Sequence, residues 1–496
     1  MVSARATIAM LTVLLASSDA CGQQTIVPGR MPRLGEVDPR YQSYNIEMVE
    51  VTGGPFWKPY ANHDRPDREL YAERPPLDLA NARLRKLAAA LGPAYLRVSG
   101  SSANATYFGD KAETSGQPPS GYNAVLTRAE WRSVIDFAAA VDARIVTSFA
   151  VSPGSRGAGG AWRPEQAGRL LAYALSLGAH VAAAEFMNEP DLAPQNAAPS
   201  GYDAAAYGRD FLTFRDFMKT ASPETLIAGP GSIGNGEAPA PGLGPRDLIA
   251  ASGSGLDVIS YHHYGTLSPR CGGHDRPPPA PTEAQLSRTD KVLAFYKALR
   301  DEFAPGKPIW LTETADAACG GNPWDATFRD SFRYLDQLGR LAKSGVQVVV
   351  HNTLSGSDYG LLDERSFAPR PNYWAALLWH RLMGTTVLDA GVPAKAGLHV
   401  YAHCDPGKAG GVTILAINAS DKRQGFTLPL SALRYTLQAQ HLQSHAVRLN
   451  GRTLALRDND ALPGITGRPA VAGAVTFAPR TIAFLAIPAA ANPACR

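Results

Sequence analysis

No stretch of the chain is apolar for long enough to cross a bilayer. The apolar run at residues 8–16 falls far below the about 20 residues that a spanning helix needs. Charge of one sign is not in large excess either. Lys and Arg number 48 against 44 Asp and Glu, a net of +4, without the dense basic stripe of a nucleic-acid binder. No P-loop is present and no segment repeats at a fixed period. Nucleoside-triphosphate and solenoid readings are thereby removed. Cysteine is scarce, at five residues in 496, and none of them forms a C-x-x-C pair.

What is present describes a folded protein. Hydrophobic residues make up 45% and charged residues 19%, outside the disordered range, and the length calls for two domains. Arg5, the apolar run at 8–16 and Ser18-Asp19-Ala20 have the order of an export signal, so residues 1–20 are expected to be cleaved. The mature protein is then secreted or periplasmic, and monomeric. Cys21, directly after Ala20, offers a lipid anchor as the alternative end of that processing.

Buried-strand patterns occur at 43–51, 94–99, 144–150, 182–187, 225–230, 256–261, 307–312 and 346–352. Amphipathic stretches separate them, at 79–91, 128–141, 164–177, 204–220, 245–251, 284–303 and 324–343, and one more at 372–383 follows the last. Eight strand–helix pairs predict a (β/α)8 barrel, an α/β fold class, over residues 43–390. From about residue 397 short strands follow one another without helices, which predicts a β-sandwich over 391–496. The leader at 21–42 is expected to add a strand to it.

Two glutamates fall at strand ends. Ala182 to Met187 runs into Asn188-Glu189-Pro190, where the proline stops the ladder, and Ile309-Trp310-Leu311-Thr312 runs into Glu313. They close the fourth and seventh strands, on the face where a barrel keeps its chemistry. Polar Gly/Pro-rich segments at 110–122, 152–160, 192–201, 231–244 and 266–281 follow strands on the same side and are expected to line a cleft. A carboxylate pair in that setting is the equipment of a glycoside hydrolase.

With Cys21 set aside, four cysteines allow three pairings. Cys404 lies in a strand of the β module and Cys495 near the C-terminus, so their bridge would tie down the tail. Cys271 and Cys319 follow the neighbouring sixth and seventh strands. The competing arrangement is zinc held by Cys271, Cys319, His262 and His274, although these four lack the usual ligand spacing.

These motifs, with Gly92-Pro93-Ala94-Tyr95-Leu96-Arg97, Tyr261-His262-His263-Tyr264, Asp358-Tyr359-Gly360-Leu361-Leu362-Asp363, Asn372-Tyr373-Trp374, Leu449-Asn450-Gly451 and Pro493-Ala494-Cys495, give the chain a further likeness. From about residue 45 onward it resembles the heparanase and β-glucuronidase family of glycoside hydrolases, and heparanase most closely. The resemblance implies retaining hydrolysis of β-glucuronides without a cofactor, with Glu313 as nucleophile and Glu189 as acid/base. It implies substrate contacts from Glu47, Ser101, Asn188, His262 and Tyr264. It also places Tyr359, Gly320 and Gly321 around the uronate carboxylate. A raised pKa on Glu189 is expected from the charge of Glu313, and Arg97 is expected to neutralise Glu185 rather than touch substrate.

The chain also departs from the family. Residues 231–244 hold no basic residue where heparanase has a basic cluster for sulfated sugars, which leaves Arg270 and Arg276 as candidate contacts. The short 110–122 segment leaves no long excisable linker. The expected activity is an endo-β-glucuronidase acting on heparan sulfate or a related acidic polysaccharide. The alternatives are an exo-acting β-glucuronidase on plant or microbial glucuronides, a cellulase- or xylanase-like barrel, and a carbohydrate-binding relative without activity.

Overall fold

The computed structural model describes residues 24–60, 69–109, 117–193, 195–234, 243–274, 280–394 and 397–496. The expected export signal, Cys21 and Arg276 lie outside them.

Eight parallel strands close a barrel in sequence order: Gln42–Asn45, Ala94–Val98, Ala143–Ser148, Val181–Glu185, Leu226–Ser232, Val258–Leu267, Ile309–Ala318 and Val348–His351. Tyr95, Val146, Ala183, Ala228, Val258, Trp310, Val348 and Val350 form a core cluster of their own in its interior. Alanines on the fourth and fifth strands leave room for Trp310 and Tyr95, whose rings lie 4.8 Å apart. Side chains on one face of a strand recur every second residue. Two positions on from these apolar ones stand Arg97, Glu185, Ser260 and Thr312, all buried. The interior therefore changes from apolar to polar toward the carboxyl ends of the strands.

The first strand is shorter than expected. It stops at Asn45, and residues Met48–Thr52 form a helix. Glu47 and Glu50 make a reciprocal capping box there, which satisfies the amide hydrogens of a helix start. The apolar spacing of Ile46, Met48, Val49 and Val51 fits either period, and the capping pair decides it.

The β module is a nine-stranded antiparallel sheet covered by the pair Gln424–Leu428 and Gly473–Phe477. The leader contributes Arg33–Glu36 to its edge, paired with Thr386–Leu388. That second strand lies upstream of residue 390, so the chain enters the sheet before the expected boundary. Between barrel and sheet lies the helix Phe328–Lys343, with every residue from Phe328 to Ala342 buried. Its charged face is covered by the sheet. Asp336 binds His399 Nδ1 at 2.5 Å and the Tyr401 hydroxyl at 2.6 Å, and His399 Nε2 lies 2.7 Å from Glu283.

Both disulfides are formed as expected, Cys271–Cys319 and Cys404–Cys495. The first consumes two thiols of the competing zinc arrangement. Among the described residues no helix is long and apolar enough to cross a membrane.

Candidate active site

Glu189 is presented by a backbone that leaves the fourth strand sharply. It takes a left-handed conformation, φ 45° and ψ 66°, which is rare outside glycine and persists only where the surroundings enforce it. Asn104 supplies that enforcement. Its side chain donates to the Asn188 carbonyl at 2.9 Å and accepts the Asn188 amide at 2.8 Å, while Asn196 reaches the Glu189 carbonyl at 3.5 Å. Pro190 then starts a short 3-10 turn, Pro190–Leu192.

Arg97 stands at the centre of the polar layer. Its guanidinium donates to Glu185 at 2.8 and 2.9 Å, to Glu313 at 3.1 Å and to the Asn188 side chain at 2.8 Å. Its partnership with Glu185 follows the sequence reading, and the bond to Glu313 is additional. Ser260 and Thr312 complete Glu185 from the sixth and seventh strands, at 2.8 and 2.9 Å. Burial opposes its ionisation, but the Arg97 charge and the Ser260 hydroxyl hold the Glu185 carboxyl below its ordinary range.

His262 is wedged between Arg97 and Glu189. Its Nε2 lies 3.3 Å from Arg97 Nη2 and its Nδ1 lies 3.0 Å from Glu189 Oε1. Guanidinium nitrogens only donate, so Nε2 accepts and the proton sits on Nδ1, facing Glu189. Burial lowers the imidazole pKa and favours this neutral form. Glu313 receives the Tyr264 hydroxyl on its other oxygen. Asn352 ties this group to Glu47, donating to Glu47 Oε1 at 3.1 Å and to the Tyr264 oxygen at 3.0 Å.

Oxygens of Glu189 and Glu313 and a nitrogen of His262 all lie within 4.8 Å of one another. Such a trio has the donor types for a cation, yet the Arg97 charge 3.1 Å from Glu313 opposes one. The Glu189 carboxyl is pushed up to about 7. Burial is the leading cause and Glu185 adds to it, while Arg97 and Asn196 oppose it. Desolvation therefore takes the part that the sequence reading gave to Glu313. Burial, and then Glu313, raises Glu47 well above the carboxylate range, and burial pushes Glu50 up to about 8.

On the far side of Glu47, Tyr359 and the two glycines come together. Gly320 and Gly321 adopt φ +80° and +90°. A Cβ on Gly320 would lie 2.6 Å from that of Trp57, and one on Gly321 would lie 2.9 Å from Asp325 and 3.1 Å from the Tyr359 amide. Only glycine fits at either position. The buried Tyr359 hydroxyl is held well above its ordinary pKa by burial, then by Glu47 and Glu313. Ser101 is exposed and follows Gly100, which packs directly on the Glu47 carboxylate.

Arg270 is corrected. The sequence left it as a candidate substrate contact. Instead it is buried, with its guanidinium 3.8 Å over the Tyr60 ring and Nη1 donating to the Lys58 carbonyl at 2.6 Å. The aromatic face and the carbonyl at Nη1 offset part of its desolvation, while Nε and Nη2 are buried without a hydrogen-bond partner among the described residues. Sequence reasoning missed Asn352, Asn104 and the double duty of Arg97, because each acts through partners more than 80 residues away.

No family model matches the chain. Heparanase-like protein 1 of Arabidopsis thaliana is 34% identical over 279 residues, which span 55% of this chain and 49% of that protein. Bovine heparanase is 28% identical over 479 residues, 84% of this chain and 86% of the relative. Baicalin-β-D-glucuronidase of Scutellaria baicalensis is 33% identical over 226 residues, 42% and 41% of the two chains. The chain thus spans about half or less of these two plant relatives and most of the bovine one. Among solved structures, a 4-O-α-L-rhamnosyl-β-D-glucuronidase from Fusarium oxysporum 12S superposes with a TM-score of 0.65 at 15% identity, over 93% of this chain and 100% of that one. At that identity the likeness is one of fold.

Proposed function

We propose that the chain, similar as it is to heparanases and to a plant β-glucuronidase, is an exported, retaining endo-β-glucuronidase of acidic polysaccharides. The observation that carries this reading is the approach of Glu189 and Glu313 oxygens to within 4.8 Å. A retaining pair stands about 5–5.5 Å apart, whereas an inverting pair leaves about 6.5–9.5 Å for a water.

Glu189, protonated up to about pH 7, gives its proton to the leaving oxygen while Glu313 attacks the anomeric carbon. Tyr264 and Arg97 hold the attacking carboxylate in line. Once Glu313 is an ester, Arg97 loses one of its two anionic partners. Its charge then favours ionised Glu189, which takes a proton from the water that cleaves the ester. Asn188 is oriented by Arg97 and suited to the sugar 2-hydroxyl. Tyr359 and the backbone of Gly320 and Gly321 are suited to the uronate carboxylate, for which neutral donors suffice. The two disulfides favour an oxidising compartment.

Residues 231–244 carry no basic side chain, and Arg270 is turned inward, so glucuronate recognition dominates over sulfate recognition. Heparan sulfate and its N-desulfated, re-acetylated form are to be incubated with the enzyme and the products sized by gel filtration. Internal cutting that favours the less sulfated polymer is expected, with no cutting by Glu313→Gln. Release of terminal glucuronate alone would establish the exo-acting alternative, and no release from either would refute a glucuronidase.

A further inference from the structure

A hairpin, Gly54–Trp57 paired with Tyr71–Arg74, rises from the helix that Glu47 caps. Its rim position comes from ties to three barrel loops. Arg270 donates one amino group to the carbonyls of Lys58 and Leu70, the residues beside Trp57 and Tyr71, at 2.6 and 3.4 Å. Tyr60 gives its amide to Asp358 at 2.9 Å and its hydroxyl meets Ser268 at 2.6 Å. Arg74 pairs with Glu364 at 2.5 Å. On its inner side Trp57 packs on Gly320, so the hairpin is seated against the same loop that flanks Tyr359.

Trp57 and Tyr71 are cross-strand partners with ring centroids 4.7 Å apart at 33°. Tyr71 is nevertheless 48% exposed, and its hydroxyl bonds nothing among the described residues. Burial raises the Tyr71 hydroxyl pKa, and the Glu47 carboxylate adds to it, so this open ring stands within electrostatic reach of Glu47. An exposed aromatic, backed by a ring that is itself seated against the loop flanking Tyr359, is costly for water to cover. It suits the apolar C–H face of a pyranose.

We propose that Tyr71, backed by Trp57, is a specificity-determining residue that receives the sugar attached to the glucuronate on its non-reducing side. This rests on the β-glucuronidase reading, with the glucuronate between Glu47 and Tyr359. The site then selects a glucuronate within a chain over a free terminal one.

Two substrates with the same leaving group test it: 4-nitrophenyl β-D-glucuronide, and the same glycoside bearing an α-1,4-linked N-acetylglucosamine on its O4. Wild-type enzyme is expected to show the higher kcat/KM on the disaccharide. Tyr71→Ala should lower the ratio of the two kcat/KM values about tenfold, through KM, as loss of one stacked ring implies. Tyr71→Phe should keep the ratio within about twofold, because the ring and not the hydroxyl makes the contact. An equal fall on both substrates would overturn the proposal in favour of a positioning role for the hairpin. An unchanged ratio, or wild-type cleavage of the monosaccharide alone, would overturn it while leaving the glucuronidase reading intact. Cleavage of neither substrate by wild-type enzyme would remove that reading and the proposal with it.

Discussion

At the scale of single residues the site depends on what burial does to one carboxyl and on what holds the other. Glu189 is raised to about 7, so it remains an acid near neutrality, and Glu313, the proposed nucleophile, is held by Tyr264 and Arg97. Activity should therefore fall on the alkaline side as pH passes about 7, because the deprotonated form of Glu189 cannot donate. In Glu189→Ala that limb should vanish. The variant should keep much of its rate on glucuronides with good leaving groups, which need no proton, and lose about 10²–10⁴-fold on those with poor ones. Rates measured across pH on a leaving-group series check both points. Equal losses on all leaving groups would assign Glu189 another role. His262→Ala should move the same alkaline limb, since its Nδ1 proton faces Glu189.

Among the elements, the eight strands were legible because each is a short apolar run stopped by polar or glycine residues. The two glutamates were legible because each ends such a run. Glu47 was assigned to a strand, since one turn of helix and a strand share the same apolar residues. Arg270 was assigned to the cleft, since sequence shows a charge in a loop but not the Tyr60 ring beneath it. The partners of Arg97 come from separate strands, and only closure of the barrel brings them together. The two disulfides allow a contrast at this scale. Cys404–Cys495 closes a separation of 91 residues and ties the C-terminal tail to a strand of the sheet. Replacing both cysteines by Ser should cost on the order of 2–4 kcal/mol and leave KM unchanged. Cys271–Cys319 joins the loops after the sixth and seventh strands, next to Gly320. Its removal should raise KM for glucuronides several-fold as well as lowering Tm. Thermal melts and steady-state kinetics on the two double variants separate these effects, and a KM change in the first would contradict the assignment.

The whole molecule is held together by a charged layer between barrel and sheet. His399 sits between Asp336 and Glu283, and Arg340 bonds Asp336 at 2.6 Å, Glu283 at 2.9 Å and also Asp290. Burial disfavours charged His399, but Asp336 more than compensates, and the imidazole pKa is raised. Burial likewise opposes ionised Asp336, yet His399 and Arg340 lower its pKa. A raised histidine contributes stability that is complete below its unfolded value of about 6.5 and is lost as pH rises through the folded value. A lowered aspartate contributes above its unfolded value of about 3.9, and that share is lost as pH falls through the folded value. The interface is thus firmest between these limits, in mildly acidic solution. His399→Ala should destabilise the protein by about 3–5 kcal/mol there and by less at alkaline pH. Denaturant unfolding at several pH values checks it, and a pH-independent loss would contradict it.

The central claim is that Glu313 forms a covalent bond to the sugar. A glucuronide bearing fluorine at C2 and a good leaving group slows the breakdown of the ester more than its formation, so the intermediate accumulates. Peptide mass spectrometry of the inactivated enzyme should find one 2-fluoroglucuronyl group, on Glu313. Attachment to any other residue, or turnover with inversion at the anomeric carbon and no adduct, would contradict the account.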